Sequence, residues 1–190
     1  LIFNITPFYA EGGGQVGDTG LIKSDSDVIT IVDTKKENKL TVHFTNKLPN
    51  NFSTTFIAQV DTESRISSSR NHTATHLLHE SLRTILGEHV SQKGSLVNPQ
   101  CLRFDFSHFA KIDQQEIKNI EEDVNAKILS NIILKEYDNL PFSQAKDLGA
   151  IMLFSEKYED VVRMIQFDSS KELCGGTHVS ATGEIGFFKI

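Results

Sequence analysis

Residues 63–87 read ESRISSSRNHTATHLLHESLRTILG, and within them Ile66, His72, His76, Leu77, Leu82, Ile85 and Leu86 recur at helical intervals until Gly87 ends the run. Upstream, Val28-Ile29-Thr30-Ile31-Val32, Leu40-Thr41-Val42-His43-Phe44 and Thr55-Phe56-Ile57-Ala58-Gln59-Val60 are short β-branched or aromatic runs separated by polar turns. The chain therefore passes from β to α near residues 60–66, and a domain boundary is expected there. Short strands at this spacing predict a small barrel. Side chains four apart on a helix lie one turn apart on one face, so His72 and His76 can present both imidazoles to a single ion.

A second pair at the same spacing, Cys174 and His178, lies in Leu173-Cys174-Gly175-Gly176-Thr177-His178. Thiolate and imidazole are the donors that zinc favours, which predicts zinc held by His72, His76, Cys174 and His178. Ninety-seven residues separate His76 from Cys174. In a zinc finger the metal folds a short loop, whereas here the core must form largely on its own and bring distant segments together. That favours a functional pocket. Four protein ligands normally close a structural site, so a catalytic role needs one ligand displaced or the coordination expanded. His79, one turn beyond His76, is expected to pack or to support the ligands.

After Gly87, strands are expected at Gln92–Val97 and Cys101–Ser107 with a turn at Asn98-Pro99. Asp113 then caps a helix to about Ser130, with Ile117, Ile120, Val124, Ile128 and Leu129 as its apolar stripe. A strand near Ile132–Tyr137, a short helix near Phe142–Asp147 and a strand Val161–Phe167 lead into the CGGTH loop. Strands and helices interleave without regular βα alternation, which predicts an α+β fold with largely antiparallel sheets. The expected division is a small N-terminal β-barrel-like domain, residues 1–62, followed by a domain of antiparallel sheet plus helices, residues 63–190.

The 190 residues, 38% hydrophobic and 23% charged, have an ordinary globular composition. No apolar run approaches ~20 residues and no signal-peptide pattern opens the chain, so neither a membrane partner nor export is expected. Two cysteines give no disulfide framework, Cys101 is expected as a small buried strand residue, and a reducing cytoplasmic setting fits. A net charge of −6 argues against a general nucleic-acid coat protein. The chain opens at Leu1 in what reads as mid-strand, as a piece of a larger protein would.

Five glycines fall between Gly12 and Gly20 in Phe8-Tyr9-Ala10-Glu11-Gly12-Gly13-Gly14-Gln15-Val16-Gly17-Asp18-Thr19-Gly20. Such a run admits close backbone approach to a phosphate or a neighbouring segment. Lacking Gly-Lys-Ser/Thr and a following helix, it is no P-loop, and a tight irregular turn competes with a binding role. Thr75 and Thr177 stand beside predicted ligands, where their hydroxyls could line a shared cavity. The Gln92 amide could orient substrate or water. Asp61, Arg65 and Arg70 precede the histidines, as a salt-bridge network or as phosphate contacts.

Phe8 to Gly20, Arg70 to His79, Ser91 to Val97, LRFDFSH at 102–108, LGAIMLFSEKY at 148–158 and ELCGGTHV at 172–179 resemble, in family order, the editing region of alanyl-tRNA synthetase. The resemblance covers nearly the whole chain. The ligand pairs alone are also similar to free-standing alanyl editing proteins and threonyl-tRNA synthetase editing domains. It implies hydrolysis of seryl- and glycyl-tRNA mischarged on alanine tRNA, with zinc at the four residues above. It further implies contact with the tRNA acceptor end, the remaining synthetase domains in cis, and ATP binding only in the full-length enzyme. Thr75 and Gln92 fall at positions tied to discrimination and editing, and Gly12, Gly13, Gly14, Gln15, Arg70 and Thr177 are candidates for substrate or tRNA contact. The competing readings are a free-standing editing protein and a non-catalytic, zinc-stabilised RNA-binding module.

Overall fold

The computed structural model describes residues 1–152 and 158–190, so the LGAIMLFSEKY motif lies in part, at 153–157, outside the described residues. Strands β1 (Gly20–Lys23), β2 (Val28–Glu37), β3 (Leu40–Thr45) and β4 (Ile57–Val60) form an antiparallel sheet in the order β3-β2-β1-β4. Alternation along β2 buries Ile29 and Ile31 against Ile22 of β1. Phe8, Leu1 and Phe3 from the N-terminal segment pack on the same cluster. Among the described residues β3 and β4 are opposite edges, so the barrel-like expectation takes the form of an open sheet covered by this segment.

Helix α1 (Thr62–Leu86) begins where the side chain of Asp61 accepts the Ser64 amide at 3.2 Å and ends at Gly87, whose φ is 115°. Ala74, Leu77, Leu78 and Leu82 form the core with Ile120, Val124 and Ile128 of α2 (Gln114–Leu129), where each fully buried large side chain contributes roughly 1.5–3 kcal/mol. His72, Thr75, His76 and His79 are also buried. Polar groups at that depth need partners, because each one left unpaired costs ~1–3 kcal/mol. The helix is thus the shared wall of the core and of a polar site.

Strands β5 (Ser91–Val97) and β6 (Leu102–Ser107) form a hairpin whose turn is closed by Asn98, its side-chain oxygen accepting the Gln100 and Cys101 amides at 2.9 Å. Cys101 is therefore exposed, contrary to expectation, because it belongs to this turn and precedes the strand. Leu129 is also solvent-facing, at 84% exposure, since the buried stripe of α2 runs through Ile120, Val124 and Ile128 and leaves it off that face. Asp113 and Glu116 cap α2 reciprocally, each backbone amide bonded to the other's carboxylate at 2.8 Å.

Strand β7 (Lys135–Pro141) starts later than expected. The amides of Ile132 and Leu134 are taken by Thr182 Oγ1 and the Ser180 carbonyl, at 2.8 and 2.9 Å, so this stretch pairs with the C-terminal segment instead. After α3 (Phe142–Asp147), β8 (Val161–Phe167) and β9 (Ser170–Leu173) complete an antiparallel sheet ordered β7-β8-β9. Its register sets Glu172 opposite Ile165 and Leu173 opposite Met164. Cross-strand partners share a face, so Glu172 is turned with Ile165 towards α1 while Leu173 joins Met164 in a second cluster.

Asp18 ties the N-terminal segment to α1. Its buried carboxylate accepts the Tyr9 amide at 2.5 Å and Arg65 Nε at 2.9 and 3.0 Å, and Arg65 Nη2 also donates to the Pro7 carbonyl at 2.9 Å. Breaking a buried pair costs ~3–5 kcal/mol, and the partial exposure of Arg65 places this one at the low end. Asp18→Ala should lower the unfolding free energy in urea by about 3 kcal/mol. Lys118→Ala, which breaks the exposed Lys118–Glu122 pair, should cost less than ~0.5 kcal/mol.

Candidate metal centre

His72 and His76 on α1 meet Cys174 and His178 from the loop after β9, and one donor atom from each lies within 4.8 Å of the others. Cys174 Sγ is 3.4 Å from Nε2 of His72 and 3.4 Å from Nε2 of His178. Tetrahedral coordination with metal–nitrogen bonds of ~2.0–2.1 Å and a metal–sulfur bond of ~2.3 Å has N···S edges of roughly 3.6 Å. The Cys174 sulfur is therefore already spaced from His72 and His178 as in a coordination shell. Gly176 permits this, since a Cβ there would lie 2.1 Å from His72 Cε1. Arg163 of β8 holds the loop from the other side, donating Nη1 to the carbonyls of Cys174 and Gly176 at 2.9 and 2.8 Å.

The other ring nitrogens face oxygens. Gln15 Oε1 lies 2.7 Å from His72 Nδ1 and accepts the Thr177 amide at 3.0 Å. A backbone amide can only donate, which identifies the Gln15 atom as oxygen and puts the proton of His72 on Nδ1. Its Nε2 is then the ring nitrogen that faces Cys174. Thr73 Oγ1 sits 3.1 Å from His178 Nδ1 and accepts the Val179 amide at 3.2 Å. Glu172 Oε2 is 3.6 Å from His76 Nδ1, while Oε1 is bonded to His79 Nδ1 at 2.8 Å. His79 thus acts through Glu172 rather than at the donor cluster. Oxygen partners of this kind fix the orientation of metal-binding imidazoles.

Protonation suits the same purpose. Burial raises the pKa of Cys174, but the His72 charge and hydrogen bonds from His178, His72 and His76 outweigh it and hold the thiol well below its ordinary range, as thiolate. Burial drives His178 down to about 3, so its ring is neutral. For His76 burial acts downward, and the Glu172 carboxylate followed by Cys174 overcomes it, lifting the ring to about 9.

A cavity of about 400 Å³ opens on this cluster, lined by His72, His76, Cys174 and Gly175 together with Thr75, Gln92, Ser95, Tyr9, Gly12, Gly13 and Glu172. Gln92 is buried beside a β-bulge that re-aims its strand, and among the described residues its amide has no hydrogen-bond partner. Thr75 donates its hydroxyl to the Asn71 carbonyl at 2.8 Å, leaving the oxygen as an acceptor. Gln15 and Thr177, expected as substrate or tRNA contacts, are bonded to each other: Gln15 Nε2 and Ser69 Oγ both donate to Thr177 Oγ1, at 2.9 and 2.8 Å. Gly14 packs against Ser95, where a Cβ would fall 2.1 Å from Oγ. Arg70 is exposed and lines a separate cavity of about 610 Å³ with Ala74, Leu78 and Phe104.

Glu172, Thr73 and Arg163 carry no sequence signal of this role. Lys171-Glu172-Leu173 looks like an ordinary strand with outward charge, and only the β8–β9 register turns Glu172 inward.

Residues 1–65 match the family described as tRNA synthetases class II (A), and residues 162–190 match the threonyl and alanyl tRNA synthetase second additional domain. The alanine–tRNA ligase of Bacteroides fragilis is 57% identical over 190 residues, covering 100% of this chain and 22% of that protein. The alanine–tRNA ligase of Bacteroides thetaiotaomicron is likewise 57% identical over 190 residues, and that of Flavobacterium psychrophilum 53% over 199, with 100% and 22% coverage in each case. These relatives are alanine–tRNA ligases. This chain spans 22% of their length, and the similarity read from the motifs extends over the whole chain. Among the described residues no helix is long and apolar enough to cross a membrane.

A divalent ion must displace the proton that His76 carries below about pH 9, whereas Cys174 has none to lose. Cobalt(II) binding at pH 7.5 should release about one proton, read by calorimetry in buffers of different ionisation enthalpy, and affinity should rise with pH towards 9. Binding that releases no proton would assign the ion to other residues. Cys174→Ala should remove the sulfur-to-cobalt absorption band.

Proposed function

We propose that this chain is the editing part of an alanine–tRNA ligase, hydrolysing seryl and glycyl esters from the acceptor end of alanine tRNA, with a sheet part, 1–62, and a site-bearing part, 63–190. The observation that carries the reading is the cavity in which His72, His76 and Cys174 share walls with Gln92 and Thr75. Two polar side chains with unused hydrogen-bonding capacity beside a metal-competent cluster suit binding and hydrolysis of a small polar ester. The donors fit zinc: one thiolate and three imidazoles with the spacing and protonation described above.

Zinc at His72, His76, Cys174 and His178 would supply an electrophilic anchor for polar groups of the substrate. The remaining roles belong to the chain. An aminoacyl ester is already activated, so hydrolysis needs a positioned water and stabilisation of the charge that develops on the carbonyl oxygen. Gln92 can accept a proton-bearing water through its carbonyl and offer its NH₂ to the developing oxyanion. Thr75, whose own proton is held by Asn71, offers its oxygen to a seryl hydroxyl. Gly12 and Gly13, on the same cavity, leave room for the terminal ribose of the tRNA.

Four protein donors also describe a closed structural site, which is the one observation favouring a zinc-stabilised RNA-binding module. Deacylation of purified seryl-tRNA decides between them. The chain should release serine, and Gln92→Ala should slow release roughly 10- to 1,000-fold with metal content unchanged. Thr75→Val, which keeps the shape and removes the oxygen, should lower the ratio of seryl- to alanyl-tRNA hydrolysis. No release of serine by the unaltered, metal-loaded chain would leave the binding module as the reading.

A further inference from the structure

We infer that Gln15 is a positioning residue of the metal centre, and that through it the Gly-rich arm, residues 9–18, is coupled to metal binding. The inference uses the editing reading only in requiring an ion at the four donors. Gln15 is fully buried, and its side chain is spent on the centre: Oε1 on His72 Nδ1 at 2.7 Å and on the Thr177 amide at 3.0 Å, Nε2 on Thr177 Oγ1 at 2.9 Å. One side chain thereby grips both halves of the donor set, the α1 histidine and the CGGTH loop.

The arm's backbone is arranged to deliver that side chain. Gly12 and Gln15 exchange amide–carbonyl bonds of 3.1 and 3.0 Å across Gly13 and Gly14, whose φ values of 58° and 85° are those of a tight turn closed to most side chains. On its far side the turn is pinned to β5, with Val16 donating to the Val97 carbonyl at 3.0 Å and Val97 donating to the Gly14 carbonyl at 2.8 Å. The glycines are thus explained by the delivery of an amide, with no phosphate needed.

The consequence for the ion is physical. With Nδ1 held, His72 is fixed in the tautomer and ring orientation that aim Nε2 at Cys174; without Gln15 the ring is free to turn and to move its proton. Loss of such a partner typically weakens metal binding by 10–100-fold. Coupling of this kind is reciprocal, so an ion that fixes His72 and the loop also fixes the acceptors and donors that hold the arm.

Cobalt(II) and zinc affinities, measured by chelator competition on the unaltered chain, Gln15→Ala and Gln15→Glu, test this together with amide hydrogen exchange of residues 12–17. Gln15→Ala should bind about 10–100-fold more weakly with shifted cobalt d–d bands. Gln15→Glu keeps the oxygen for His72 and for the Thr177 amide, and the Thr177 hydroxyl can donate to the new carboxylate, so its affinity should return close to that of the unaltered protein. Chelation should speed exchange at Gln15 and Val16. Unaltered affinity and spectrum in Gln15→Ala overturn the inference while leaving the metal centre in place, and so does exchange in the arm that ignores the metal. Failure of the unaltered chain to bind either ion overturns the metal centre and this inference together.

Discussion

Three imidazoles can aim one nitrogen each at a single point only if something else holds the opposite nitrogen. That requirement organises this molecule. Gln15, Glu172 and Thr73 present oxygens to the Nδ1 atoms of His72, His76 and His178, at 2.7, 3.6 and 3.1 Å. The three come from three different places: the Gly-rich arm, strand β9 and α1 itself. A bare pair of histidines on a helix would have rotated into solvent or paired with water. Here the Nδ1 atoms of His72 and His178 are held by hydrogen bonds, while that of His76 has only the Glu172 carboxylate as an ion-pair neighbour.

Much of the architecture follows. The α1 histidines sit in the buried middle of the helix because its other face is anchored in the α1–α2 core by Leu77, Leu78 and Leu82. Register, rather than composition, brings Glu172 to them, since pairing Glu172 with Ile165 turns it towards α1 and a slip of one residue would send it to the Met164 side. Arg163, on the neighbouring strand, caps the loop carbonyls that would otherwise be left without donors. The Asp18–Arg65 pair keeps the arm close enough to α1 for Gln15 to reach. The two local donor pairs, 72/76 and 174/178, and the Gly-rich arm lie far apart in the sequence, so the site exists only once the chain has folded, unlike a metal site that folds its own loop.

What could be read from the sequence was what depends on near neighbours. The i,i+4 histidines, the cap at Asp113, the short helix Phe142–Asp147 and the strand Val161–Phe167 are decided within a few residues, and they form where expected. The misplacements share a cause. Ile132 looks like strand but its amide is claimed by Thr182, fifty residues away; β1, for which no strand is expected, has only the four residues Gly20–Lys23, too few to show a period. Cys101 has strand neighbours yet lies in the Asn98 turn. In the site the same limit applies: the four donors are visible because their residue types are chemically unusual, whereas Glu172, Thr73 and Arg163 are common residues whose roles come from register and long-range contact. Gln15 was visible as part of a glycine-rich run, and only the structure shows that its amide is spent inside the protein.

On the editing reading, the cavity faces a selection that size cannot make. A space that admits serine admits alanine and glycine as well, both being smaller. The distinction has to come from what each does to the Thr75 oxygen, whose proton is committed to Asn71 and which therefore needs a donor. A seryl hydroxyl donates to it. An alanyl methyl covers it without a partner, at a cost of ~1–3 kcal/mol for the stranded acceptor. Glycine, with no Cβ, leaves space for a water to donate instead. One acceptor, held by an i,i−4 hydrogen bond on a buried helix, would in this way favour the smaller and the larger amino acid over the one between them, which a steric sieve could not do.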